Sequence, residues 1–220
     1  ATEAYSKKKA RLVHREFLYL VPDHFVILDR VESTDASLPK TWLLHTQQEP
    51  DVDGTAFTAS QGDGVLFCRT LLPRDAHLAK IGGPGREFEV NGTNYPVAPG
   101  FLAKALRKAG RESASDLLYG QWRIEVSPAV PTEEDLFLHV LQVGRSREDA
   151  AMNPVEFRET DELLEITVGL DGERTAHVFF DRRQRGKGTL RIDGPDGPVV
   201  AERPFPDTVQ PQSGLPGAPE

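Results

Sequence analysis

A single cysteine, Cys68, stands in 220 residues, so no disulfide can form within the chain, and cysteine usage favours no compartment. No apolar run approaches the ~20 residues of a membrane-spanning helix, so no membrane partner is expected. A surplus of basic charge is also missing. The chain has 26 Lys and Arg against 34 Asp and Glu, giving a net charge of −8 and a pI of about 5.3. That balance argues against a nucleic-acid partner, because non-specific nucleic-acid affinity comes from basic surface. It also suits an acidic polymer poorly, unless a local basic patch overrides it. The chain has no initiator methionine and no signal peptide, and a strand pattern begins almost at once, so upstream sequence of a longer protein is expected.

The remaining composition, 38% hydrophobic and 27% charged, is ordinary for a globular domain that buries a core. The length suits one large β domain or two small ones. The organising stretch is 11–48, RLVHREFLYLVPDHFVILDRVESTDASLPKTWLLHTQQ. Two apolar runs flank Val21-Pro22-Asp23-His24, the pattern of a long β-hairpin, since Pro presets one turn dihedral and Asp tolerates the next. A third strand is predicted over 41–47. With Pro22-Asp23 as a tight turn, His14 pairs with Val31, and Asp29 becomes its diagonal neighbour on the same face.

Further strands are predicted at 55–60, 64–72 and 76–81, followed by Gly82-Gly83-Pro84-Gly85. No Gly-Lys-Ser/Thr follows these glycines, so they read as a turn, not a phosphate cradle. Asn91-Gly92 is a hairpin signal. Phe101, Leu102, Ala105 and Leu106 recur at helical spacing, which predicts one short helix inside a long loop, 97–119. Strand rhythm returns in QWRIEVS and in DLFLHVLQV, the second apolar on both faces. Five more strands are predicted near 155–159, 163–168, 175–180, 189–192 and 199–202. The fold class that follows is all-β, a large two-sheet antiparallel sandwich (a supersandwich). A polar lead covers 1–9 and the sandwich 10–203, and a Pro- and Gly-rich tail, 204–220, is expected to be loosely attached.

Three ionisable residues interrupt the apolar runs of the organising stretch: His14, Asp29 and His45. Two imidazoles and a carboxylate on adjacent strands suit zinc with a fourth ligand or water; a structural hydrogen-bonding role is the alternative. Among the other histidines, His24 is expected in a solvated turn, His139 and His177 in the core or half-buried, and His77 beside a cleft. Arg182, Arg183, Arg185 and Lys187 form a basic cluster beside Gly186 and Gly188. That cluster is either a solvated turn or a contact for an anionic glycan, where guanidinium pairs with carboxylate or sulfate. Tyr19, Tyr95 and Tyr119 carry no cue for a positioned proton donor.

The strings REFLYLVPDHFVILDRVES and KTWLLHTQQEP resemble the β-sandwich part of heparinase II/III-type polysaccharide lyases. LLPRDAHLAKIGGPGREFEVNGTNYP and YGQWRIEVSPAVPTEEDLFLHVLQVG extend the similarity in the same order, over roughly 5–145. The resemblance implies an N-terminal α/α toroid preceding the sandwich, and elimination across the C4–O bond of uronic-acid-containing polysaccharides. The family's tyrosine acid/base and its uronate-neutralising Asn or His sit mostly on that toroid. This chain then supplies one wall of the cleft against the toroid, binds an acidic polysaccharide and is inactive alone, in the periplasm or secreted. Arg182, Arg183, Arg185 and His77 are the substrate-binding candidates. Some members hold one structural zinc with two His and one Asp, an order that His14, Asp29 and His45 match. The family can place a catalytic His two residues before the first ligand; Leu12 stands there, so no catalytic residue is assigned. The alternative is a free-standing carbohydrate-binding or structural β-sandwich module.

Overall fold

The computed structural model describes residues 2–110, 120–145, 151–171 and 173–205. Among them are sixteen strands and one α-helix, and every strand pairing is antiparallel. The fold is all-β, as the alternating pattern predicts. The chain divides into two compact units, 1–152 and 153–220, where the sequence suggested one domain over 10–203.

The first unit contains β1 (Ala10–Leu20), β2 (His24–Ser33), β3 (Trp42–Thr46), β4 (Asp51–Asp53), β5 (Ala56–Gln61), β6 (Gly64–Leu72) and β7 (His77–Gly82). A two-strand hairpin follows, β8 (Glu89–Val90) and β9 (Thr93–Asn94), then α1 (Pro99–Ala109), β10 (Trp122–Ser127) and β11 (Glu134–Arg145). A six-stranded sheet runs β1-β2-β11-β6-β5-β4, and a three-stranded sheet runs β3-β10-β7. Their facing sides share one core: Ile27, Phe57, Cys68, Phe137 and Leu141 from the large sheet, Trp42, Ile124 and Val126 from the small one. Burying these side chains against each other is what makes the two sheets a sandwich. The central strands β2 and β11 are buried on both faces, which is why their sequences read as nearly continuous apolar runs.

Local signals act as the sequence suggests. Asn91 and Gly92 both take positive φ, 50° and 78°, in the turn between β8 and β9. The predicted helix is α1, opened by Pro99 and closed by Gly110 in the left-handed region; the rest of its loop, 111–119, lies outside the described residues. Gly83 has φ 81°, and a Cβ there would stand 2.7 Å from the Trp122 ring, so glycine is required where the loop passes over β10.

The second unit is a five-stranded meander: β12 (Val155–Glu159), β13 (Leu163–Gly169), β14 (Thr175–Asp181), β15 (Gly188–Gly194) and β16 (Gly197–Pro204). Leu164, Ile166 and Val168 pair with Phe180, Val178 and Ala176, so one face is a buried apolar stripe. Glu165, Thr167, His177, Arg191 and Asp193 alternate onto the other. The Pro- and Gly-rich tail beyond Phe205 lies outside the described residues.

Candidate functional site

Register decides the fate of the His14, Asp29 and His45 set. Leu20 pairs with His24, so three residues, Val21 to Asp23, connect β1 and β2, not two. His14 therefore stands opposite Arg30, and Arg15 opposite Asp29, correcting the expected His14–Val31 pairing by one position. A one-residue slip moves side chains to the other face. His14 and Asp29 thus lie on opposite faces of the large sheet.

Both residues have other partners. Arg15 donates from Nε and Nη2 to the two carboxylate oxygens of Asp29, at 2.6 and 2.7 Å. The pair joins a buried carboxylate to a half-exposed guanidinium, and the Asp29 hydrogen bond raises the Arg15 pKa further. On the opposite face His14 Nε2 lies 3.7 Å from Glu16, whose other oxygen is 3.4 Å from Arg30. His45 belongs to the three-stranded sheet, opposite Arg123. A Cβ at Gly120 would come within 2.6 Å of His45 Cβ, so the chain passes close over this histidine. That desolvation first, and the Arg123 charge second, hold His45 below the usual imidazole range. Among the described residues no group of three or more His, Cys, Asp or Glu is placed to hold a metal ion. The donor set does not fit the structural zinc that the resemblance implies.

The remaining histidines divide by environment. His24, expected in a solvated turn, is instead the first residue of β2 and fully buried, with Nδ1 2.7 Å from Asp23. His139 is fully buried on β11, its ring stacked on Trp42 at 3.9 Å and its Nδ1 3.1 Å from the Thr70 hydroxyl. Burial, aided by the Arg15 charge, pushes its pKa down to about 3, so this imidazole is neutral. His177 is half-buried, 3.3 Å from Asp193. His77 is exposed at the start of the edge strand β7.

The basic cluster is a structured turn between β14 and β15. Asp181 Oδ1 accepts the backbone N–H of Arg183 and of Gln184, both at 2.8 Å, and Oδ2 accepts the Gln184 amide at 3.1 Å. The Asp181 N–H donates to the Lys187 carbonyl at 2.9 Å, closing the turn. Arg182 is committed elsewhere, with Nη1 2.6 Å from Glu159. Among the described residues none of Arg183, Arg185 and Lys187 is ion-paired, and all three are exposed. An open groove of about 410 Å³ is lined by Lys187 together with Glu162, Leu163, Phe179, Asp181 and Thr189. Lys187 is thus the better member of the cluster and Arg182 the weaker one. The signal for this lay in Glu159, an acid on β12, two strands from β14, that sequence spacing alone does not bring close.

One charged pair escaped sequence reading altogether. Lys40, 6% exposed at its side chain, reaches Asp135 at 3.0 Å and the Ser33 hydroxyl at 3.1 Å, and also donates to the Thr132 carbonyl. It ties the loop before β3 to the start of β11. Searches against protein-family models and against curated proteins return no match for this chain.

Proposed function

We propose that this chain is the β-sandwich region of a heparinase II/III-like polysaccharide lyase, which grips an acidic polysaccharide while an α/α toroid carries out the elimination. The observation that carries the reading is the Asp181-braced turn, which leaves Arg183 and Arg185 exposed and without an ion pair among the described residues, and sets Lys187 in the lining of an open groove that Glu162 and Asp181 also line. A chain of net charge −8 repels an acidic polymer overall, so a local cationic site is what such a ligand needs. Guanidinium forks match carboxylate and sulfate, while Leu163 and Phe179 offer an apolar floor to sugar rings.

Retention of the protein on immobilised heparin and on alginate tests this. The triple variant Arg183→Ala, Arg185→Ala, Lys187→Ala should bind roughly tenfold more weakly, a loss of about 1.4 kcal/mol. Arg182→Ala should have a smaller effect. Binding should also weaken as salt rises from low to physiological strength. Unchanged binding in the triple variant refutes the site. Production of unsaturated uronate by the purified chain alone refutes the supporting role.

A further inference from the structure

β1 is the edge strand of the six-stranded sheet, and its outer rim is open over a defined window. The Thr2 hydroxyl donates to the Val13 carbonyl at 3.2 Å and accepts the Val13 N–H at 3.0 Å. Both backbone groups of Val13 therefore point to the rim, and those of Arg15, Phe17 and Tyr19 do so by alternation. Among the described residues nothing hydrogen-bonds to the outward backbone groups of these three. The turn at Val21-Pro22 bounds the other end. The open window is thus 14–20, and its centre is Phe17.

Two of the most exposed side chains along this rim are aromatic, beside the exposed Arg15. Phe17 is 60% exposed, and Tyr19, stacked on Phe25 at 4.9 Å, is 49% exposed. Edge strands are commonly blunted by proline, bulges or clustered charge; 14–20 holds no proline, the single irregularity in the β1–β2 ladder lies at Ala10/Leu12, and the two charges it does hold, Arg15 and Glu16, are paired within the chain to Asp29 and Arg30.

We propose that this rim pairs antiparallel with the same rim of a second copy of this chain, about a two-fold axis at Phe17. A two-fold interface must be self-complementary. Centring on Phe17 uses the whole open window and sets Arg15 against Tyr19 of the second copy, a cation on an aromatic face. It sets Phe17 against Phe17, and Glu16 against Leu18. Centring on Arg15 or Glu16 would instead set like charges directly opposite each other, which destabilises a strand pair. Three hydrogen-bonded pairs exchange about six backbone hydrogen bonds and join two six-stranded sheets into one.

The mass of the 220-residue chain across a concentration series in analytical ultracentrifugation reads the assembly. The wild type should approach twice 24.3 kDa, and Phe17→Lys, which sets two ammonium groups against each other, should return to 24.3 kDa. Phe17 is mostly exposed, so this variant should keep the wild-type circular dichroism. Register is read by cysteine crosslinking. Paired Cα atoms at position 17 would lie about 5.5 Å apart, within disulfide reach. Position 18 would face its copy only on a diagonal, beyond about 7 Å. Phe17→Cys should crosslink under mild oxidation and Leu18→Cys should not; the native Cys68 is buried and stays out of the assay. A monomer at every concentration overturns the proposal. So does a dimer that survives Phe17→Lys, or one that crosslinks through position 18 and not 17.

Discussion

His139 gives the sandwich a calculable sensitivity to acid. Its pKa falls from 6.5 in the open chain to about 3 in the folded one, because the ring is buried between the sheets and the Arg15 charge lies nearby. A depressed imidazole pKa means that the unfolded state binds the proton first. The contribution is therefore fully present above about pH 6.5, and stability is lost steadily as pH falls from there towards 3. At pH 4.5 the loss from this one group is roughly 3 kcal/mol, since two pH units separate that condition from the open-chain value. His139→Phe keeps a ring against Trp42 and gives up the Thr70 hydrogen bond, so it costs some stability at neutral pH but no longer titrates. Urea unfolding of both proteins at pH 7.5 and 4.5 isolates the term. The wild type should lose roughly 3 kcal/mol more than the variant between the two conditions. Equal losses would refute the reasoning and place a proton-accepting route, such as penetrating water, at the ring.

Lys40→Met should cost about 3–5 kcal/mol by leaving Asp135 buried without its cation, and Lys40→Met with Asp135→Leu should recover much of that, read as urea midpoints. Asp29→Asn should cost about 1.5–3 kcal/mol, the worth of hydrogen bonds to a charged group, towards the lower end because Arg15 is 52% exposed and can turn to water. Zinc addition or chelation should leave the melting temperature of wild type and of Asp29→Asn unchanged, since His14 faces away from Asp29; a metal-dependent shift that Asp29→Asn abolishes would overturn the assigned register.

Strand existence was legible because one-faced burial writes a period of two into the sequence. β13 and β14 show this plainly: Leu164, Ile166 and Val168 alternate inward, and Ala176, Val178 and Phe180 answer them. β6 and β12 were placed with the observed bounds, while the three-residue β4 is too short to carry a pattern. The candidate metal set failed on a quantity that periodicity does not contain. The apolar runs of β1 and β2 fit a two-residue turn as well as a three-residue one, and only the turn length says which residues face each other. Asp29 looked like an interruption in a strand; it is the partner of Arg15, and the cue was an exposed arginine whose register position was unknown. His24 looked like a turn residue because Pro-Asp precedes it, yet the strand begins at the histidine itself. The basic turn was visible from its flanking glycines, but its division into one committed and three free cations depended on Glu159 from another strand.

The lone thiol of Cys68 has a use that follows from where it sits. It is 1% exposed in the core between the two sheets of the first unit, and burial raises its pKa well above the ordinary thiol range. Only a thiolate reacts with an alkylating or disulfide reagent, so the folded sandwich keeps this sulfur silent. Labelling must wait for the sheets to part, and with excess reagent its rate becomes the frequency of that opening. Each molecule thus carries one internal clock for the breathing of its core, with no second cysteine to confuse the reading.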